Sequence, residues 1–270
     1  MSNSFSIVVP VYSEAGTNHY RGNKIRRLLD SIIEQTYPNW ELILVNDGCQ
    51  EPLTPQIMQE YADKYPDKIK IITHDRSYNR AISRNDGMKI AKNDWILWAD
   101  SDDFYSRDYL WICDRVINQY PETKVFNFGA LLVFPDRVEV RHAWTLPEPE
   151  KAGEAHGWFF SGHTNTGSFI FKRELLDDPE NWIPHEENPY QFAALSGFDM
   201  RFPAHYEIDG NAVEEPSEMA FTDKKYRLGI SLGNPWGDDF IQLYLLSRKN
   251  KVVSVDIPIY IIYPRGTEEE

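Results

Sequence analysis

Only two cysteines, Cys49 and Cys113, occur in 270 residues. That excludes a disulfide framework or a thiolate metal site, and both read as thiols of a reducing compartment. Basic residues are also scarce: 28 Lys and Arg face 42 Asp and Glu, a net charge of -14. Phosphate-backbone binding needs a basic footprint, and docking on anionic lipid needs basic clusters. Both partners are therefore disfavoured. No stretch approaches the ~18–20 apolar residues of a membrane helix. The first apolar run, Ile7 to Val11, is too short for a signal peptide, so a cytoplasmic protein is expected. A G-x-x-x-x-G-K-S/T loop and a G-x-G-x-x-G turn are both missing. Any phosphate would then be held by a metal rather than by a glycine-rich cradle.

What remains is a chain that folds: 41% apolar residues and 14% aromatics, enough for a substantial core. Its first half alternates strand and helix. Ser6 to Tyr12 is a short apolar strand, and Ile25, Leu28, Leu29, Ile32 and Ile33 lie at helical spacing before Pro38. Trp40 to Val45 reads as a strand, Pro55 to Tyr65 as a helix, and Lys68 to Thr73 as a strand. Ala81 to Ala91 reads as a helix and Trp95 to Ala99 as a strand. This alternation predicts a parallel sheet covered on both faces. The second half is less regular. It offers paired strands at 125–134 and 137–144, a strand at 167–171, and a short helix from Arg173. A helix at 239–247 and strands at 251–255 and 257–262 close the chain. With no repeat and no long linker, one domain is expected.

Polar residues gather where the strands end: Tyr12-Ser13-Glu14, Asn46-Asp47, and Asp100-Ser101-Asp102-Asp103. Carboxylates are hard ligands suited to Mg²⁺ or Mn²⁺, and ligands of open α/β sheets bind beyond the carboxyl ends of the strands. A solvated turn capping the next helix is the plainer reading of the acidic quartet. Asn46-Asp47-Gly48 is equally a turn sequence, and Asp238-Asp239 equally a helix cap. His156, His163, His185 and His205 are too scattered for a zinc site. Trp158, Phe159, Phe160, Trp182 and Tyr190 could stack on a sugar, but core packing explains such residues more often.

Taken in order, these segments resemble family 2 glycosyltransferases with the GT-A fold. Ile7 to Tyr12 resembles the family's first strand and donor loop, and Gln35 to Gly48 the segment that usually ends in Asp-Asp-Gly. Ser83-Arg84-Asn85-Asp86-Gly87 is similar to its Ala-Arg-Asn-x-Gly stretch, and Asp100 to Asp103 to its Asp-x-Asp motif. Gly197-Phe198-Asp199, Trp236-Gly237-Asp238-Asp239 and Lys251 to Tyr263 resemble its later elements. The resemblance implies an α/β, Rossmann-like fold. Its central sheet is mostly parallel with helices on both faces, and a smaller antiparallel region lies on the acceptor side. It divides one domain, 1–270, into a nucleotide-sugar half (1–103) and an acceptor half (104–270).

The resemblance also implies roles. Pro10, Tyr12, Glu14, Asn46, Asp47, Arg84, Asp100 and Ser101 would bind the nucleotide sugar. Asp102, assisted by Asp100, would hold Mn²⁺ or Mg²⁺; Asp103, by its position alone rather than by the resemblance, reads as a cap of the following turn. Asp239, with Asp238 beside it, would be the general base. The implied reaction is inverting, metal-dependent transfer from a nucleotide-diphosphate sugar, UDP-linked above all, to an acceptor hydroxyl. Two positions depart from the pattern. Asn46 stands where many members carry a base-reading Asp, and Asp238 replaces the usual Glu. The 201–233 spacer is also long, as an acceptor-side lid or platform would be. A nucleotidyltransferase is one alternative, although Val11 to Thr17 offers no Lys to grip a triphosphate. A non-catalytic nucleotide- or carbohydrate-binding relic is another. A glycosyltransferase acting on modified DNA is a third, against the acidic balance.

Overall fold

The computed structural model describes residues 2–17, 20–141, 143, 166–183, 206–208, 211–213, 242–243, 245–246 and 249–262. The first half alternates as its periodicity predicts. It runs β1 (Phe5–Val11), α1 (Lys24–Ile33), β2 (Trp40–Asn46), α2 (Leu53–Lys64), β3 (Ile69–Thr73), α3 (Arg80–Ile90) and β4 (Trp95–Trp98). β1 and β2 are buried at every position, as parallel strands covered on both faces must be. α1 buries Ile25, Leu28, Leu29 and Ile32, a single stripe at helical spacing. α2 begins at Leu53 rather than at Pro55, because a proline in the first turn has no intrahelical bond to lose.

The chain continues through β5 (Phe104–Tyr105), α4 (Tyr109–Gln119), β6 (Val125–Val133), β7 (Val138–Arg141) and β8 (Phe169–Lys172). β9 (Tyr206–Ile208), β10 (Asn211–Val213) and β11 (Val252–Ile262) follow. One nine-stranded sheet has the order β3-β2-β1-β4-β8-β6-β11-β5, with β7 paired to β6; β9 and β10 form a separate pair. β3, β2, β1 and β4 are mutually parallel. β8 runs antiparallel to both β4 and β6, and β11 is parallel to β6 but antiparallel to β5. The two closing strands expected from the sequence are one strand. Its register shifts on either side of Pro258, which has no N–H to give the ladder. Of the helix expected at 239–247, residues 242–243 and 245–246 are helical and the others lie outside the described residues.

Two apolar layers cover the sheet. On one face α1, α2 and α4 pack Leu28, Leu29, Met58, Leu110 and Cys113 against Ile7, Val9, Leu42 and Leu44. On the other, α3, the 3₁₀ turn at Arg173–Asp177 and Leu243, Leu245 and Leu246 pack against Val8, Ile43, Val45, Ile96 and Trp98. α3 lies so close to β1 that a Cβ on Gly87 would sit 2.4 Å from Val8 Cγ1. Among the described residues, no helix is long and apolar enough to cross a membrane.

Candidate functional site

All four parallel strands point the same way, so their carboxyl ends share one edge. The chain leaves β1 outward to β2 and β3, then returns to the other flank of β1 as β4. The point of reversal, between the ends of β1 and β4, is where an open α/β sheet offers a crevice. Pro10 helps to open it. β1 pairs with β4 only as far as Val8, and the Ala99 N–H still donates to the Val8 carbonyl at 3.2 Å. The next rung of a parallel ladder would need an N–H from residue 10, which proline lacks, so β4 parts from β1 there. On its other side Pro10 stays in register with Val45 of β2.

The Asp100–Asp103 turn fills the β4 side of the crevice, held from four directions. Arg84 of α3, wholly buried, donates to Asp100 Oδ1 at 2.8 Å while its guanidinium lies 4.5 Å over the Trp98 ring. Arg21, in the loop before α1, donates from Nε to Ser101 Oγ at 2.8 Å and pairs through Nη2 with Asp102 Oδ2 at 3.1 Å. Arg27 of α1 donates to the Asp102 carbonyl at 2.5 Å. From β11, the Tyr260 hydroxyl accepts from the Asp100 N–H at 3.1 Å and donates to Asp103 Oδ2 at 2.8 Å. Burial, reinforced by Asp103 and Asp100, raises the Tyr260 pKa well above its ordinary value, so it stays a neutral phenol that can donate. Asp103 is therefore tied to β11. The residue preceding α4 is Asp108, whose side chain makes no capping bond.

On the β1 and β2 side, the Tyr12 hydroxyl donates to Glu14 Oε2 at 3.2 Å, and burial followed by Glu14 pushes the phenol upward. Asn46 accepts from the Cys49 N–H at 2.9 Å, which identifies that side-chain atom as oxygen and leaves the amide nitrogen as the donor end. Burial pushes the Cys49 thiol up to about 11, far from a reactive thiolate. Both oxygens of Asp47 are committed within the protein. One accepts from the Tyr78 N–H at 2.9 Å and faces His74 Nδ1 at 2.8 Å; the other accepts from Ser77 Oγ and the Asn79 N–H at 2.7 and 3.1 Å. The loop closes over Gly48, whose φ of 68° suits glycine and where a Cβ would meet the Arg76 backbone at 2.4 Å.

The edge thus brings together Pro10, Tyr12, Glu14, Asn46, Asp47, Arg84, Asp100, Ser101 and Asp102. Asp238 and Asp239 lie outside the described residues, as do the four scattered histidines and all of the possible stacking residues except Trp182. Trp182 packs beside the core face covered by α3, and its indole donates to the Leu176 carbonyl at 2.8 Å. Sequence reasoning missed Arg21, Arg27, His74, Asn79 and Tyr260. A cation in a loop, or an alternate residue of a distant strand, carries no periodic signal. Asn79 alone was findable, as an Asn just before a helical run. Among the described residues no group of three acidic, His or Cys side chains is placed to hold a metal. Two partly exposed carboxylates, Asp100 and Asp102, remain, a donor set that fits an Mg²⁺-type ion completing its shell with substrate phosphates and water.

The family model described as Glycosyl transferase family 2 matches residues 6–178. Among curated proteins, the putative glycosyltransferase EpsH of Bacillus subtilis is 34% identical over 125 residues, covering 46% of this chain and 33% of that protein. The poly(ribitol-phosphate) beta-glucosyltransferase of Bacillus spizizenii is 35% identical over 107 residues, 39% of this chain and 16% of that protein. The matched stretch is thus a third or less of either relative. Among solved structures, S. aureus TarS 1-349 in complex with UDP-GlcNAc superposes with a TM-score of 0.60 at 18% identity. The match covers 98% of this chain and 60% of that one. The mannosyltransferase PcManGT of Pyrobaculum calidifontis, in complex with GDP-Man and Mn²⁺, gives 0.55 at 15% identity, over 99% and 59%. At these identities the likeness shows the fold, GT-A.

Proposed function

The chain belongs to glycosyl transferase family 2, and from that membership we propose that it transfers a sugar, with inversion, from a nucleotide-diphosphate donor to an acceptor hydroxyl. The observation that carries this reading is the arginine-braced acidic turn at the strand-reversal crevice, facing Tyr12 and Asn46 across the β1 end. UDP-linked sugars are the first candidates, because TarS, which shares the fold, was solved with UDP-GlcNAc. In this reading the chain works as one unit, with residues 1–103 holding the donor and 104–270 shaping the acceptor side.

Tyr12, with Pro10 and Glu14 around it, holds the base, and Asn46 meets the base with its amide donor. Asp47 shapes the pocket through the loop that it organises, since its own acceptor sites are taken. Ser101 and Asp100 face the ribose, with Arg84 fixing the Asp100 carboxylate. A divalent Mn²⁺ or Mg²⁺, held by Asp102 with Asp100 assisting, would neutralise charge on the departing diphosphate; PcManGT was solved with Mn²⁺. Asp239, with Asp238 as its neighbour, takes the acceptor's proton as that oxygen attacks the anomeric carbon. The nucleotide diphosphate leaves from the opposite face, which inverts the centre.

A thermal-shift screen of nucleotide sugars, with and without Mn²⁺, tests the reading. A ligand at 100 times its Kd stabilises by about 2.7 kcal/mol, a rise of roughly 5–10 °C for a chain of this size. UDP-sugars should give that rise with metal and little without it. No response to any nucleotide sugar would overturn the proposal.

A further inference from the structure

The two carboxylates of the acidic turn are paired in different ways. Arg84 belongs to the body of α3, is wholly buried and lies against Trp98, so its hold on Asp100 is part of the core. Arg21 sits in the loop between β1 and α1, with its N–H anchored on Ser13 Oγ at 2.8 Å. Its side chain is itself buried, only 9% exposed, and its guanidinium forks across Ser101 and Asp102, where the Asp102 side chain is 21% exposed. Gly22, directly after it, has φ of 45°, a conformation open to glycine. Arg21 thus reaches the turn from a loop, whereas Arg84 reaches it from the body of a helix.

A guanidinium on Asp102 and a divalent cation on the same carboxylate repel one another, so the two compete for Asp102. A diphosphate changes that competition. Its oxygens are better partners for a planar guanidinium fork than a lone carboxylate oxygen, and they supply ligands for the cation as well. Resting on the function proposed above, we propose that Arg21 is an exchangeable partner coupling cation binding to diphosphate binding. Without nucleotide, Arg21 neutralises Asp102 and keeps the divalent ion off. When a diphosphate arrives, Arg21 transfers to its oxygens and Asp102 opens to the ion. Coupling of this kind is reciprocal, so the ion must strengthen nucleotide binding by the same factor. Arg21 is then a positioning and binding residue rather than a member of the proton-transfer machinery.

The test is Mn²⁺ affinity of the full chain, read from the electron paramagnetic resonance signal of unbound Mn²⁺, with and without UDP. Wild type should bind Mn²⁺ weakly alone and at least about tenfold more tightly with UDP. Arg21→Gln, which removes the charge, should bind Mn²⁺ alone about tenfold more tightly than wild type and lose most of the gain on adding UDP. Arg21→Lys keeps one charge without the fork, so its affinity without nucleotide should fall between the two. Circular dichroism checks that each variant folds, and either variant alone decides the outcome. Equal Mn²⁺ affinity without nucleotide in wild type and the folded variant overturns the role of Arg21 while leaving the donor reading intact, provided that wild type binds UDP. Failure of wild type to bind UDP, with or without Mn²⁺, overturns both.

Discussion

Glu41 shows what a single side chain does at the edge of the sheet opposite the site. Its carboxylate accepts from Lys70 Nζ at 2.5 Å and from Ser6 Oγ and the Lys92 N–H at 2.7 Å each. Burial acts to raise its pKa, but those three bonds outweigh it and hold the group below its ordinary 4.5. Unfolded Glu41 takes up its proton near that ordinary value, and folded Glu41 only at lower pH. Its contribution is therefore complete above pH 4.5 and is lost as the pH falls through the lowered native value. Glu41→Gln should cost about 1–3 kcal/mol at pH 7. In urea melts its deficit against wild type should shrink as the pH drops below 4.5; a constant deficit contradicts the assignment. At this scale the sequence was readable in part. It marked Asp47, Asp100 and Asp102 as polar groups at strand ends. It could not foresee that Asp47 spends both oxygens on residues 74–79, because those partners lie 27 to 32 positions away.

At the scale of elements, α3 matters most, since it delivers Arg84 to the turn. It begins on Asn79, whose side chain accepts from the Ile82 N–H at 3.1 Å and whose backbone sits at φ 95°, ψ 166°. That region is nearly reserved for glycine and costs about 1–3 kcal/mol elsewhere. Here the Asn79 N–H is pinned to Asp47. Asn79→Ala keeps the strain and loses the cap, so it should destabilise by about 1 kcal/mol or more. Asn79→Gly gives up the cap but relieves the strain, so it should be neutral or stabilising. Differential scanning calorimetry of both variants decides: if glycine is the worse substitution, the strain argument fails. α4 was missed although its buried residues Tyr109, Leu110, Cys113, Val116 and Ile117 keep helical spacing. α1, α2, α3 and the interior strands were legible because their apolar spacing repeats. β5 was not, because two residues carry no period, and β11 was misread as two strands because Pro258 imitates a turn.

At the scale of the molecule, one sheet spans the boundary between the two halves of the chain. β4 passes to β8, β6 and β11, and Tyr260 of β11 returns to the acidic turn beside β4. The donor and acceptor roles proposed above fall to halves that share this sheet, and on that proposal they should be separable by mutation. Asp239→Asn should lower transfer about 10²–10⁴-fold, the usual worth of a general base. It should leave the thermal shift produced by a UDP-sugar with Mn²⁺ unchanged. A variant with full turnover, followed by release of UDP, would remove Asp239 from the role of base.

The amino-acid sequence by itself determined the alternation of strands and helices, the burial of β1 and β2 on both faces, and the set of acids at strand ends. These depend on residues within one element, where spacing repeats every two or 3.6 positions. Only the tertiary structure decided what those acids touch. Arg21 meets Ser101 across 80 positions, and the Asp100 N–H meets Tyr260 across 160. Such pairs form because the sheet reverses direction at β1, and a reversal of strand order leaves no trace in local periodicity.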